Sequence, residues 1–78
     1  MIKAYVLVVT NPGETKNVVA ALDAVAGVKE RHEVMGPYDI VIELEVESLS
    51  DVPPILSDKI RSIPGIESTT SLVTFPEK

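Results

Sequence analysis

The stretch YDIVIELEVE, Tyr38 to Glu47, sets Tyr38, Ile40, Ile42, Leu44 and Val46 against Asp39, Glu43, Glu45 and Glu47. A period of two over that length predicts a strand with one face buried. Moved back by 38 residues (Ile40 onto Ile2), the same apolar set falls on Ile2, Ala4, Val6 and Val8 of IKAYVLVV, Ile2 to Val9. That segment is apolar and largely β-branched on both alternating sets, as in a strand covered on two faces. NPG, Asn11 to Gly13, then breaks it. Between Glu14 and Ala26 the apolar residues Val18, Val19, Leu22, Val25 and Ala26 recur at helical spacing, with Gly27 standing as the C-terminal cap.

The offset carries on along the chain. Val18, Leu22 and Val25 fall on Leu56, Ile60 and Ile63, and Gly27-Val28 falls on Gly65-Ile66. A second helix is therefore expected from Asp51 or Val52, with Pro53 and Pro54 in the first turn, where a missing N–H does no harm. Pro64-Gly65 ends it. VKERHEVM, Val28 to Met35, reads as a charged edge strand, and IESTTSLVTF, Ile66 to Phe75, as a last, threonine-rich strand. The chain is βαβ twice over. Two such halves close most economically as one antiparallel four-stranded sheet with both helices on one face. That is the α+β, ferredoxin-like βαββαβ arrangement, with the first and third strands central and right-handed crossovers. Tyr5, Leu7, Val9, Val41, Val73 and Phe75 are then expected on the face without helices. A monomer does not leave such a patch in water. A second copy packed sheet to sheet about a two-fold axis, as in a dimeric α/β barrel, is the simplest cover.

With 78 residues the sequence has room for one domain, residues 1–78, whose own core leaves a thin margin of stability. No cysteine and a single histidine, His32, rule out disulfides and clustered imidazole ligands as reinforcement, which again leaves self-association. An apolar fraction of 45% with 24% charged residues predicts a folded domain. No apolar run approaches the roughly 18 residues of a membrane helix, and no signal leader opens the chain, so the expectation is a cytoplasmic protein without a membrane partner. A net charge of −5 makes direct nucleic-acid binding unfavourable.

Catalytic patterns are scarce: there is no glycine-rich phosphate loop, no histidine pair at metal spacing and no Ser-His-Asp grouping. No catalytic residue, metal ligand or cofactor is assigned, and the reading is of a non-enzyme. His32 sits among Lys29, Glu30, Arg31 and Glu33 as an exposed edge residue. Glu43, Glu45 and Glu47 read as a solvated strand face or the partner of a basic patch. GPYD, Gly36 to Asp39, leaves two readings open: a structural turn, or a contact for a small ligand at the head of a central strand.

Taken together, VMGPYDI (Val34 to Ile40) after a charged strand, SIPGI (Ser62 to Ile66) closing the second helix, and ESTTS (Glu67 to Ser71) after it resemble the effector domain of the Lrp/AsnC family of feast/famine transcription regulators, the RAM domain. The resemblance runs from Met1 to Phe75. It implies a domain that binds amino acids or related small effectors, in a pocket between dimers that assemble into rings. Carried over residue by residue, Met35, Gly36, Tyr38 and Asp39 would form the loop wall, and Ser68, Thr69, Thr70 and Ser71 the polar wall. A ligand's ammonium wants a carboxylate such as Asp39, and its carboxylate wants N–H groups and hydroxyls. Full-length members carry a helix-turn-helix ahead of this domain. Here Met1 directly precedes the first strand, so the expectation is a stand-alone effector domain that joins or modulates full-length regulators. Two alternatives stand beside it: a ligand-free oligomerisation module, and a small cofactor-free enzyme of the dimeric α/β barrel type.

Overall fold

The computed structural model describes residues 2–75. Strands β1 (Ile2–Thr10), β2 (Val28–Glu33), β3 (Ile40–Val46) and β4 (Ile66–Val73) form one antiparallel sheet in the order β2-β3-β1-β4. The two strands read as the repeat's first elements are thus the central pair. Their register runs from Ile2 opposite Val46 to Val8 opposite Ile40. Helix α1 (Thr15–Leu22) and a second helical segment over 49–60 cover one face.

The alternation foreseen for β1 and β3 is realised. Ala4, Val6, Val8, Ile40, Ile42 and Leu44 are fully buried and pack with Val18, Leu22 and Ile60. Eight of the largest side chains in that core are sealed from water, and each contributes roughly 1.5–3 kcal/mol by burial.

The helices depart from the simple expectation. α1 stops at Leu22 instead of Ala26, because the amides of Asp23, Ala24 and Val25 bond the carbonyls three residues back (Ala20, Ala21 and Leu22, at 3.3, 3.2 and 3.1 Å). This tighter winding keeps Val25 against the core. The second segment is no uniform α-helix. A 3₁₀ turn (Leu49–Asp51) leads into a single α turn (Val52–Pro54) and then a wider, π-wound stretch (Ile55–Ile60), with the Arg61 amide bonding Leu56 O at 2.9 Å. The Ser57 hydroxyl competes for the Pro53 carbonyl at 2.9 Å, which helps loosen the ladder there. The edge strands are shorter than read: β2 ends at Glu33 and β4 at Val73.

The repeat reappears in three dimensions through its two equivalent glycines. Gly27 (φ +97°) lies under Ile55, and Gly65 (φ +101°) lies under Glu14 and Val18. Each half therefore tucks its glycine beneath the start of the other half's helix.

The face without helices carries Tyr5, Leu7, Val9 and Val41, all half-buried. One assignment is corrected by register. Val73 pairs with Ala4 and so lies on the helix side of the edge, while Leu72, opposite Tyr5, takes its place on the open face. Phe75 lies beyond the strand and is exposed. Glu43 and Glu45 flank this apolar strip, in ion pairs with Lys3 (3.7 Å) and Lys29 (3.3 Å). His32, also on this side opposite Val41, pairs with Glu30 at 3.0 Å.

Across the helix side, Arg31 grips Asp23 with two bonds, Nε to Oδ1 at 2.9 Å and Nη2 to Oδ2 at 3.1 Å. That hydrogen bonding holds the Asp23 carboxyl below the ordinary aspartate value and pushes Arg31 up. Because the folded-state value of Asp23 is the depressed one, its contribution is present above the unfolded value and lost as pH falls through the folded one. A carboxyl-detected NMR titration is expected to place Asp23 below the ordinary aspartate value in the native protein, and to return it to that value in Arg31→Met. An Asp23 titration insensitive to Arg31 would show the pair to be unformed in solution.

Candidate functional site

The loop 34–39 joins the outer strand β2 to the inner strand β3 and arrives at the end of the sheet where β1 finishes and β4 begins. Gly36 makes the reversal possible at φ +150°, with open space around it, and Met35 beside it is wholly exposed. The chain then re-enters the sheet through two backbone bonds, Val34 N–H to Asp39 O at 3.0 Å and Asp39 N–H to Val8 O at 2.8 Å.

The side chain of Asp39 does a third job. One step beyond the last β1–β3 pair, its Oδ2 accepts the Thr10 amide at 2.8 Å and lies 3.3 Å from the Thr10 hydroxyl. The carboxylate stands where the next carbonyl of the ladder would be, so it terminates the pairing without leaving an orphan donor. Thr10 is itself buried at 7% exposure, and its Oγ1 lies 2.7 Å from that of Thr15, the first residue of α1. Among the described residues no hydrogen bond reaches Asp39 Oδ1, and no buried side-chain oxygen lacks a partner, so Oδ1 is not sealed from solvent. Sequence reasoning missed Thr10 and Thr15. Their only signal is a threonine at the end of β1 and another five residues later, and nothing local connects either to Asp39, 29 residues on.

The expected polar wall is divided by the pleat. Residues opposite one another in an antiparallel pair share a face. Ser68 and Thr70, opposite Val9 and Leu7, therefore lie on the open face, whereas Thr69 and Ser71, opposite Val8 and Val6, lie on the helix side. A bulge at Glu67, between the pairs Val9–Ser68 and Thr10–Ile66, brings the start of β4 to the loop end of the sheet. Ser71 sits four residues up β1 from Thr10, roughly 13 Å away. Asp39 and Ser68 flank β1 on opposite sides, two strand spacings or roughly 10 Å apart. The structure thus gathers Gly36, Tyr38, Asp39 and Ser68 at one end, with Met35 projecting outward, and does not bring Ser71 to them.

Two grooves lie away from this cluster. One of about 350 Å³, between Gly27, Val46, Pro54 and Ile55, is at the other end of the sheet. The other, about 280 Å³, runs along β2 past Leu22 and Arg31. Among the described residues no group of three or more His, Asp or Glu is placed to hold a metal ion, and no helix is long and apolar enough to cross a membrane.

A four-stranded antiparallel sheet with helices on one face, polar groups gathered at one end and an uncovered apolar face is a small α+β domain of ferredoxin-like type. Residues 3–77 match the Lrp/AsnC ligand binding domain, and the chain belongs to that family. An uncharacterised HTH-type transcriptional regulator of Pyrococcus furiosus is 31% identical over 75 residues, covering 92% of this chain and 50% of that protein. The chain thus spans about half the length of the curated regulators it matches. The same domain also matches 60 residues of a homocitrate synthase from Sulfurisphaera tokodaii, at 38% identity, 76% of this chain and 13% of the enzyme. Among solved structures, FFRP-DM1 superposes with a TM-score of 0.89 at 33% identity, over 96% of this chain and 100% of that one.

Proposed function

We propose that this chain is an effector-binding and oligomerisation unit of the transcription-regulator type, without catalytic activity, that takes an amino acid or a related small metabolite between dimers in the cytoplasm. The observation that carries this reading is the gathering of the loop carboxylate of Asp39, held to the end of β1 by Oδ2, and of Ser68 at the start of β4 at one end of the sheet. The two groups stand on separate elements either side of β1, and this reading takes them as half-sites. A neighbouring protomer's surface would supply the second half. The open face supports a dimer as the building block, since Tyr5, Leu7, Val9, Val41 and Leu72 form an apolar strip rimmed by ion pairs. Regulators of the same family are the partners this reading implies, through mixed assembly.

A ligand-free oligomerisation module is the second reading. It is favoured by the engagement of Asp39 Oδ2 with Thr10, which gives the loop carboxylate a purely structural use. One experiment separates the two: light scattering on a sizing column, beside a thermal-shift panel of the twenty amino acids at millimolar concentration. Ligand at a hundred times its dissociation constant stabilises by about 2.7 kcal/mol, on the order of ten degrees for a domain this small. A mass that is a multiple of dimers, together with a shift for one or a few amino acids, is expected. A bare dimer with no shift leaves the module reading.

A further inference from the structure

We infer that Thr10 and Thr15 are positioning residues of the effector site: a two-hydroxyl chain that holds Asp39 by one oxygen and so aims the other at the ligand's ammonium. The inference rests on the effector reading above and assigns it a mechanism. The Asp39 carboxylate can only accept, so the Thr10 amide donates to Oδ2 at 2.8 Å and the Thr10 hydroxyl donates to the same atom at 3.3 Å. A hydroxyl has one proton. Once that of Thr10 points at Asp39, the 2.7 Å contact between the two threonines has one possible sense, Thr15 donating to Thr10. The order of donation is therefore Thr15 to Thr10 to Asp39, starting at the first residue of α1 and ending in the loop.

Two donors on one oxygen lock the carboxylate's orientation, and Oδ1 is left unsealed and with no partner among the described residues. A group held in place before the ligand arrives loses little entropy on binding, which is where affinity and selectivity for a cationic partner come from. Thr10 is buried and does not itself meet the ligand; it acts through Asp39.

The test uses the full chain and isothermal calorimetry with paired probes: each amino acid that binds, and the carboxylic acid of the same side chain lacking the amino group, such as isocaproate for leucine or hydrocinnamate for phenylalanine. Wild type is expected to prefer the member bearing the ammonium. Thr10→Val keeps the amide and the volume but removes the hydroxyl, and is expected to cut that preference about tenfold, the size of one hydrogen bond to a charged group, while affinity for the des-amino probe holds. Thr10→Ser restores the preference, Thr15→Val lowers it in part, and Asp39→Asn abolishes it. Equal weakening of both probes in Thr10→Val, or an unchanged preference, overturns the positioning role. Binding without any preference in wild type overturns the aiming of Oδ1. A wild-type chain that binds no amino acid overturns the effector reading itself, a distinct result.

Discussion

Leu7→Glu is expected to turn the proposed dimer into monomers. Leu7 lies in the middle of the uncovered face, opposite Val41 on β3 and Thr70 on β4. It is half-buried within its own protomer and no part of the sealed core, so the change leaves the fold's interior intact. Under two-fold packing every substitution enters the contact twice. Each new carboxylate would have to leave water without a partner, at several kcal/mol apiece, against an interface whose favourable term is apolar contact. Light scattering reads the result directly: a monomer mass with native-like circular dichroism is expected. A mass equal to that of wild type would mean that another surface holds the copies together.

The largest effect on the protomer itself is expected from Gly65→Ala. The residue sits at φ +101°, where an L side chain is strained. The added Cβ would lie 2.9 Å from the Cβ of Glu14 and 3.1 Å from Cγ2 of Val18. Neither neighbour can swing aside cheaply, since one is the root of a side chain next to α1 and the other belongs to a buried valine. Strain and overpacking together are expected to cost about 3 kcal/mol, which lowers the melting temperature by roughly 12–24 °C for a domain of this length. Gly13→Ala is the control. Its φ is +80° and no atom lies within 4 Å of the built Cβ, so backbone strain alone remains, about 1 kcal/mol. Equal losses for the two variants would show that the close approach of α1 to Gly65 does not limit stability.

These two positions also show what could be read early. Gly65 was already marked as the partner of Gly27 by the repeat, although which atoms would crowd it depended on the other half of the chain. Leu7 falls on the open face because the 38-residue offset matches the other set of β1, Ile2, Ala4, Val6 and Val8, to the apolar set of β3. Val73 was placed there too, and wrongly, because a strand's own alternation says which residues share a face but not which face that is. The Glu67 bulge and the pairing of β4 with β1 decide it, putting Leu72 beside Tyr5 and Val73 beside Ala4. The same pleat separates Ser68 and Thr70 from Thr69 and Ser71, which look equivalent in a run of hydroxyls.

The loop shows the division most sharply. Gly36, Pro37 and Asp39 announce a turn through their local backbone preferences, and they do so in any context. The partner of the Asp39 carboxylate lies 29 residues earlier, so only pairing of β1 with β3 brings Thr10 and Thr15 to it.

Periodicity and covalent order, which are local and short-ranged, determined the four strands, the two helices, their doubling and the central place of β1 and β3. Register, the winding of the second helical segment and the hydroxyl chain behind Asp39 were decided by the tertiary structure. Each depends on contacts between residues distant in sequence, whose free energy exists only once the sheet has formed.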